Sequence, residues 1–172
     1  MTALEARYSV APSPRTAELP RAFAFGEFAR GAAFAWLAFQ PLAVIAIAVA
    51  SAVDGSGGDL TLAFVVPLLG LPYTLAATLV GSPAAFVLGR RLRKQRRNPV
   101  HLLAFGLYGA LWSVVVQLVL FQGGPQLGLT IPLTAATTAA VLVGWWSTSR
   151  LALRADRRRG AVGTAPVADG AE

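Results

Sequence analysis

Cysteine is absent from the 172 residues, which excludes disulfides, thiolate nucleophiles and Cys-bound metals. Histidine occurs once, at His101. A zinc site draws three or four ligands from His, Cys and carboxylates, and one imidazole cannot begin such a set. Charge is scarce as well: Asp, Glu, Lys and Arg make up 13% of the chain, against about 25% in an average soluble domain. From Asn98 to Ser149 no Asp, Glu, Lys or Arg occurs at all. No Gly-rich loop closing on a Lys is present to cradle a phosphate. Ser82, in Gly81-Ser82-Pro83, has no acid–His pair to activate it. Asp54-Gly-Ser-Gly-Gly-Asp59 lacks the ligand spacing and closing Glu of a calcium loop and reads as a flexible hairpin. These gaps leave too few groups for an active site. The expectation is a protein that is not an enzyme and has no cofactor and no metal.

What the chain does have is apolar length. Hydrophobic residues account for 55% of it, and the mean hydropathy is +0.59. A helix crossing a bilayer needs about 20 largely apolar residues, because the hydrocarbon core is roughly 30 Å thick. Charge-free stretches of that kind lie at about 31–53, 60–89, 101–121 and 127–148. The last two are divided by Gln122-Gly-Gly-Pro-Gln126, a helix-breaking and polar sequence. A β-barrel is excluded because Ala43 to Ala50 is apolar throughout, with no alternation. Connectors of about six, ten and five residues make sequence neighbours antiparallel neighbours. The predicted fold class is therefore an all-α membrane protein, an antiparallel four-helix transmembrane bundle over 31–149. Residues 1–30 form an N-terminal segment, and 150–172 form a tail that is basic and then disordered from Gly160 onwards.

The second stretch is too long for one perpendicular span and contains Pro67, Pro72 and Pro83. Proline removes a helical hydrogen bond, so tilt with a bend or hinge at Pro67–Pro72, or a short separate outer segment, is expected. A re-entrant piece is the weaker option.

Charge sets the threading. Arg90, Arg91, Arg93, Lys94, Arg96 and Arg97 crowd the second connector with no acid among them, whereas the first connector carries only Asp54 and Asp59. Arg7, Arg15, Arg21 and Arg30 precede the first span, and Arg150, Arg154, Arg157, Arg158 and Arg159 follow the fourth. With four spans every basic residue falls on one side, which the positive-inside rule makes cytoplasmic. Both termini are then inside, and the Arg- and Ala-rich composition fits the inner membrane of a GC-rich bacterium. The net charge of +7 is thus a topology signal. The basic connector is a contact for anionic lipid headgroups or for a cytoplasmic partner, and not for nucleic acid, since no reading element accompanies it.

Residues 1–20 are expected to be poorly ordered. Phe23, Phe25 and Phe28 either dip into the headgroup layer or extend the first span. Trp36, Trp145 and Trp146 fall near cytoplasmic span ends, where indoles favour the interface. Gly81, Ala85 and Gly89 put small residues on one face for helix packing, within the bundle or in a homo-oligomer; Gly106 and Gly109 do so less well. His101 is expected at the interface. Gln40 and Gln117 are the deepest polar side chains and lie at different depths. With Thr134, Thr137 and Thr138 they either hydrogen-bond neighbouring helices or line a pathway. Two functions follow. One is a non-catalytic accessory, scaffold or regulator with a membrane-protein partner. The alternative is a small homo-oligomeric transporter or channel for a neutral or hydrophobic solute.

Overall fold

In a computed structural model of the chain, residues 15, 16, 18, 19, 22–53, 60–121 and 127–163 are described, the side chains of 60, 62 and 158–163 excepted. The described residues are all-helical apart from turns: α1 (Phe25–Val53), α2 (Leu60–Leu92), α3 (Asn98–Leu120) and α4 (Leu127–Gly163). Each is long and apolar enough to cross a membrane. At 1.5 Å per residue even α3, with 23 residues, reaches about 35 Å.

The helix ends follow local chemistry. At the start of α1 the backbone N–H of Ala24 donates to Glu27 Oε2 at 3.0 Å, and Glu27 N–H and Phe28 N–H both donate to the Ala24 carbonyl. This is the Glu half of a capping box, and it starts the helix six residues ahead of the charge-free run. α3 opens with Pro99 in its first turn and the extended residue Arg97 before it, as suits a residue without an N–H. Between α2 and α3 the chain turns at Arg93–Lys94, with Gln95 N–H donating to Leu92 O at 2.8 Å.

Three expectations are corrected. α2 runs unbroken through Pro67, Pro72 and Pro83, so there is neither a separate outer segment nor a re-entrant piece. α4 continues to Gly163, so 160–163 are helical where a disordered tail was expected: Ala, Leu and Arg dominate 150–159 and are strong helix formers, and the helix they build runs on through Gly160-Ala-Val-Gly163. Arg15, placed in a poorly ordered stretch, is tied to two carboxylates, as described below. The connectors 54–59 and 122–126, with the hairpin reading of the first, lie outside the described residues, as do 1–14 and 164–172.

The helices form a ring in the order α1, α4, α3, α2. α1 packs most extensively on α4, and α2 touches α3 least. The α1–α4 seam is built from small residues. A Cβ on Gly144 would lie 2.6 Å from the Gly31 carbonyl and 2.7 Å from Ala35 Cβ, and one on Gly31 would run into the Thr148 hydroxyl. Across α3 and α4, a Cβ on Gly109 would lie 3.1 Å from Thr138 Cα, while Gly106 is looser, with 3.9 Å to Thr138 and Leu142. Such close backbone approach is how helices associate where lipid removes the hydrophobic drive.

The packing is inverted relative to a water-soluble core. Among the described residues the buried apolar side chains are seven alanines and Phe105, whereas Leu37, Ile45, Phe64, Leu69, Leu111 and Val119 face outwards. Water-soluble monomers do not carry an apolar surface of this extent. A hydrocarbon solvent removes the penalty for it.

Candidate functional site: a cavity inside the bundle

Alanine fills little space, and α2 stands loosely against α3. The consequence is a partly open cavity of ≈ 500 Å³ between the helices, lined by all four of them. Its lining on α3 extends from His101 to Leu120, and from His101 to Gln117 alone the helical rise gives about 24 Å. Volumes of about 300–1,000 Å³ are usual for small-molecule sites.

Water is poorly suited to fill it, because a buried water needs two to four polar partners. Most of the hydroxyl protons along the walls are already committed. Thr74, Thr78, Ser82, Thr137 and Thr148 donate to carbonyls three or four residues back at 2.6–3.0 Å. Tyr108 OH donates to the Gly81 carbonyl at 2.7 Å, bridging α3 to α2. Its ring stacks on Trp112 with 6.5 Å between centroids.

One wall is more polar. Gln117 Nε2 donates to Ser113 Oγ at 2.9 Å and to Thr134 Oγ1 at 3.3 Å, and Ser113 Oγ lies 3.3 Å from Thr137 Oγ1. Gln117 is 5% exposed, lines the cavity, and its Oε1 accepts no hydrogen bond. A buried amide oxygen left unpaired costs about 1–3 kcal/mol, which makes it a receptor for a donor arriving from elsewhere.

The residues singled out from sequence separate into different places. Gln117 and Thr137 line the cavity; Thr134 supports Gln117 from α4; Thr138 donates to the Thr134 carbonyl at 2.8 Å and is not on the wall. Gln40 is not on the wall either. Its Nε2 donates to the Trp36 carbonyl at 3.0 Å and contacts Thr74 Oγ1 at 3.5 Å, where Trp36 Nε1 also donates at 3.2 Å. Gln40 and Gln117 do not bond to each other. Pro67 lines the cavity and Pro72 is exposed. A Cβ on Gly81 would meet Trp112 and Tyr108 at 2.8 Å, one on Gly89 would run into Phe23, and Ala85 is on the wall. Of the basic connector, Arg93 is half-buried and Arg90, Arg91, Lys94, Arg96 and Arg97 are exposed.

His101 is 3% exposed, stacked on Trp145 with centroids 5.7 Å apart, and its Nε2 lies 3.0 Å from the Gln95 carbonyl. It sits in the first turn of α3 beside the connector, packed against protein because the turn at 93–97 folds back over it. Trp146, by contrast, is half-exposed beneath the Arg150 guanidinium, 4.3 Å from the ring centroid.

The end of the cavity nearest His101 carries an arrangement that the spacing of residues did not foretell. Arg15 forks onto Glu27, with Nη2 to Oε1 at 2.6 Å and Nη1 to Oε2 at 3.0 Å, and its Nε donates to Asp156 Oδ2 at 2.5 Å. Nη1 also donates to the Ala22 carbonyl at 3.2 Å. One guanidinium thus ties the N-terminal segment, α1 and the C-terminal extension of α4 together. Beside it Phe23 and Phe28 stack on each other and meet Phe86 of α2 edge-on. Phe25 is 71% exposed. No local motif marks Arg15, since its partners are 12 and 141 residues away. The Ser113–Gln117 and Thr134–Thr137 pairs were the available hints of the polar wall, because i,i+3 and i,i+4 spacing places them on common faces.

No family model, curated protein or solved structure matches the chain.

Proposed function

We propose that the protein is a non-catalytic integral protein of a bacterial inner membrane, acting as an accessory, scaffold or regulator of another membrane component. In this reading the four helices are threaded antiparallel, with both termini and the Arg90–Arg97 connector on the cytoplasmic side. Two kinds of observation support the threading. Residue pairs across α3 and α4 run in opposing order: His101 with Trp145, Gly109 with Thr138, Gln117 with Thr134. The charges also divide by side, with acids only in the first connector and six basic residues in the second.

The observation that carries the functional reading is how the interior polar groups are used. Tyr108, Trp36, Thr74, Thr78, Ser82, Thr137 and Thr148 all spend their donors on holding helices together or on their own backbone. That is the use expected of a structural bundle. The exposed basic connector then offers the contact surface, for anionic headgroups or for an acidic cytoplasmic face of a partner.

A second reading, a small homo-oligomeric transporter or channel for a neutral or hydrophobic solute, is favoured by the cavity running along the bundle. The two readings are separated by sizing the protein in mild detergent and assaying solute flux in liposomes. The accessory reading expects no flux above empty vesicles. Flux that disappears on Gln117→Leu would overturn it in favour of transport.

A further inference from the structure

We propose that the cavity is a binding site for a neutral, single-chain lipid carrying a hydroxyl head, with the head donating to Gln117 Oε1 and the chain running towards Phe105 and His101. The site is a property of the bundle interior and holds whether the protein serves as accessory or transporter.

Three features select this chemistry. The first is shape: the roughly 24 Å between His101 and Gln117 exceeds the roughly 15 Å half-thickness of the hydrocarbon core. A long unbranched or isoprenoid chain matches it, and a compact solute does not. The second is the wall. Phe39, Phe105, Val116, Leu133 and Val141 line it together with helix faces whose hydroxyl protons point back to their own carbonyls. Such a wall favours methylenes over water or ions. The third is the head. Gln117 Oε1 is buried, unpartnered and on the cavity wall, while Gln117 Nε2 is held by Ser113 and Thr134. The vacant group is an acceptor, so the ligand must bring a donor. No cation faces Gln117 from Ser113, Val116, Leu120, Leu133, Thr134 or Thr137, which leaves a carboxylate or phosphate head without a counter-charge there.

The test uses the full chain in detergent micelles and ω-brominated hexadecanol as probe. Trp36, Trp112 and Trp145 line the cavity, so bromine bound inside quenches indole fluorescence. The expected result is saturable quenching that unbrominated hexadecanol reverses and that Ala77→Phe and Ala85→Phe, which fill the space, abolish. The methyl ether of the probe has no donor and should bind the wild-type protein about two- to tenfold more weakly, the worth of one hydrogen bond. On Gln117→Leu the alcohol should fall to the affinity of the ether. Quenching that is linear in probe, or equal in the wild type and both filled variants, overturns the site. Equal affinity of alcohol and ether for the wild type overturns the assignment of the head, and this arm needs no variant to fold.

Discussion

The closest approach to backbone among the described glycines gives the sharpest stability prediction. Gly144→Ala adds one methyl group on α4 where α1 is closest. Its Cβ would sit 2.6 Å from the Gly31 carbonyl oxygen and 2.7 Å from Ala35 Cβ. Neither neighbour is a flexible side chain, so relief requires the helices to part by several tenths of an ångström along the most extensive seam in the protein. Overpacking of this kind costs about 1–3 kcal/mol, a factor of about 5 to 150 in the unfolding equilibrium. Gly106→Ala is the matched control. It too adds a methyl group to a helical glycine, but its nearest neighbours are the side chains of Leu142 and Thr138 at 3.9 Å, so the change should stay within about 0.5 kcal/mol. Reversible unfolding by SDS in mixed micelles, followed by tryptophan fluorescence, measures both. Equal midpoints for the two variants would refute the claim that α1 and α4 touch through backbone at Gly31 and Gly144.

Other perturbations probe the ends and the loose seam. Arg15→Ala leaves Glu27 and Asp156 without their shared cation and should cost about 1.5–3 kcal/mol, the range for hydrogen bonds to charged groups. A double-mutant cycle with Asp156→Ala should show coupling, and additive effects would contradict the Arg15–Asp156 pairing. Tyr108→Phe removes the bond to the Gly81 carbonyl and should destabilise by about 0.6 kcal/mol, the mean for interhelical bonds in lipid, and by no more than about 1.7; the same micelle titration reads it, and no change would mean the bond contributes nothing. Neutralising all six basic residues of 90–97 should lower insertion or mix the orientations, as seen by protease protection of membrane vesicles. Unaltered protection would count against the charge rule here.

The spans were readable because lipid imposes a coarse requirement. A run of about 20 uncharged residues must be helix, and charge marks where each run ends. The true helix ends were less readable, since hydrogen bonding does not stop where apolar composition stops: Ala24 and Glu27 cap α1 ahead of its apolar run, and α4 continues past Arg150. The interior was harder still. Gln117 could be flagged as polar and deep, but its unpaired oxygen depends on Ser113 and Thr134 both facing its nitrogen. His101 is buried because Gln95 and Trp145 enclose it, and neither is a sequence neighbour. The cavity itself arises from alanines on the inner faces combined with a loose α2, a property of the packed set that no single segment carries.

In the proposed threading four helices cross a bilayer with the basic residues on one side, and the absence of cysteine makes this directly measurable. Single cysteines introduced at Ser56, Gln95 and Ala171 can be challenged in intact cells with a membrane-impermeant maleimide. The expected pattern is labelling at Ser56 only, with Gln95 and Ala171 reacting after the membrane is opened. Labelling of Ala171 in intact cells, or of Gln95 and Ser56 alike, would contradict it.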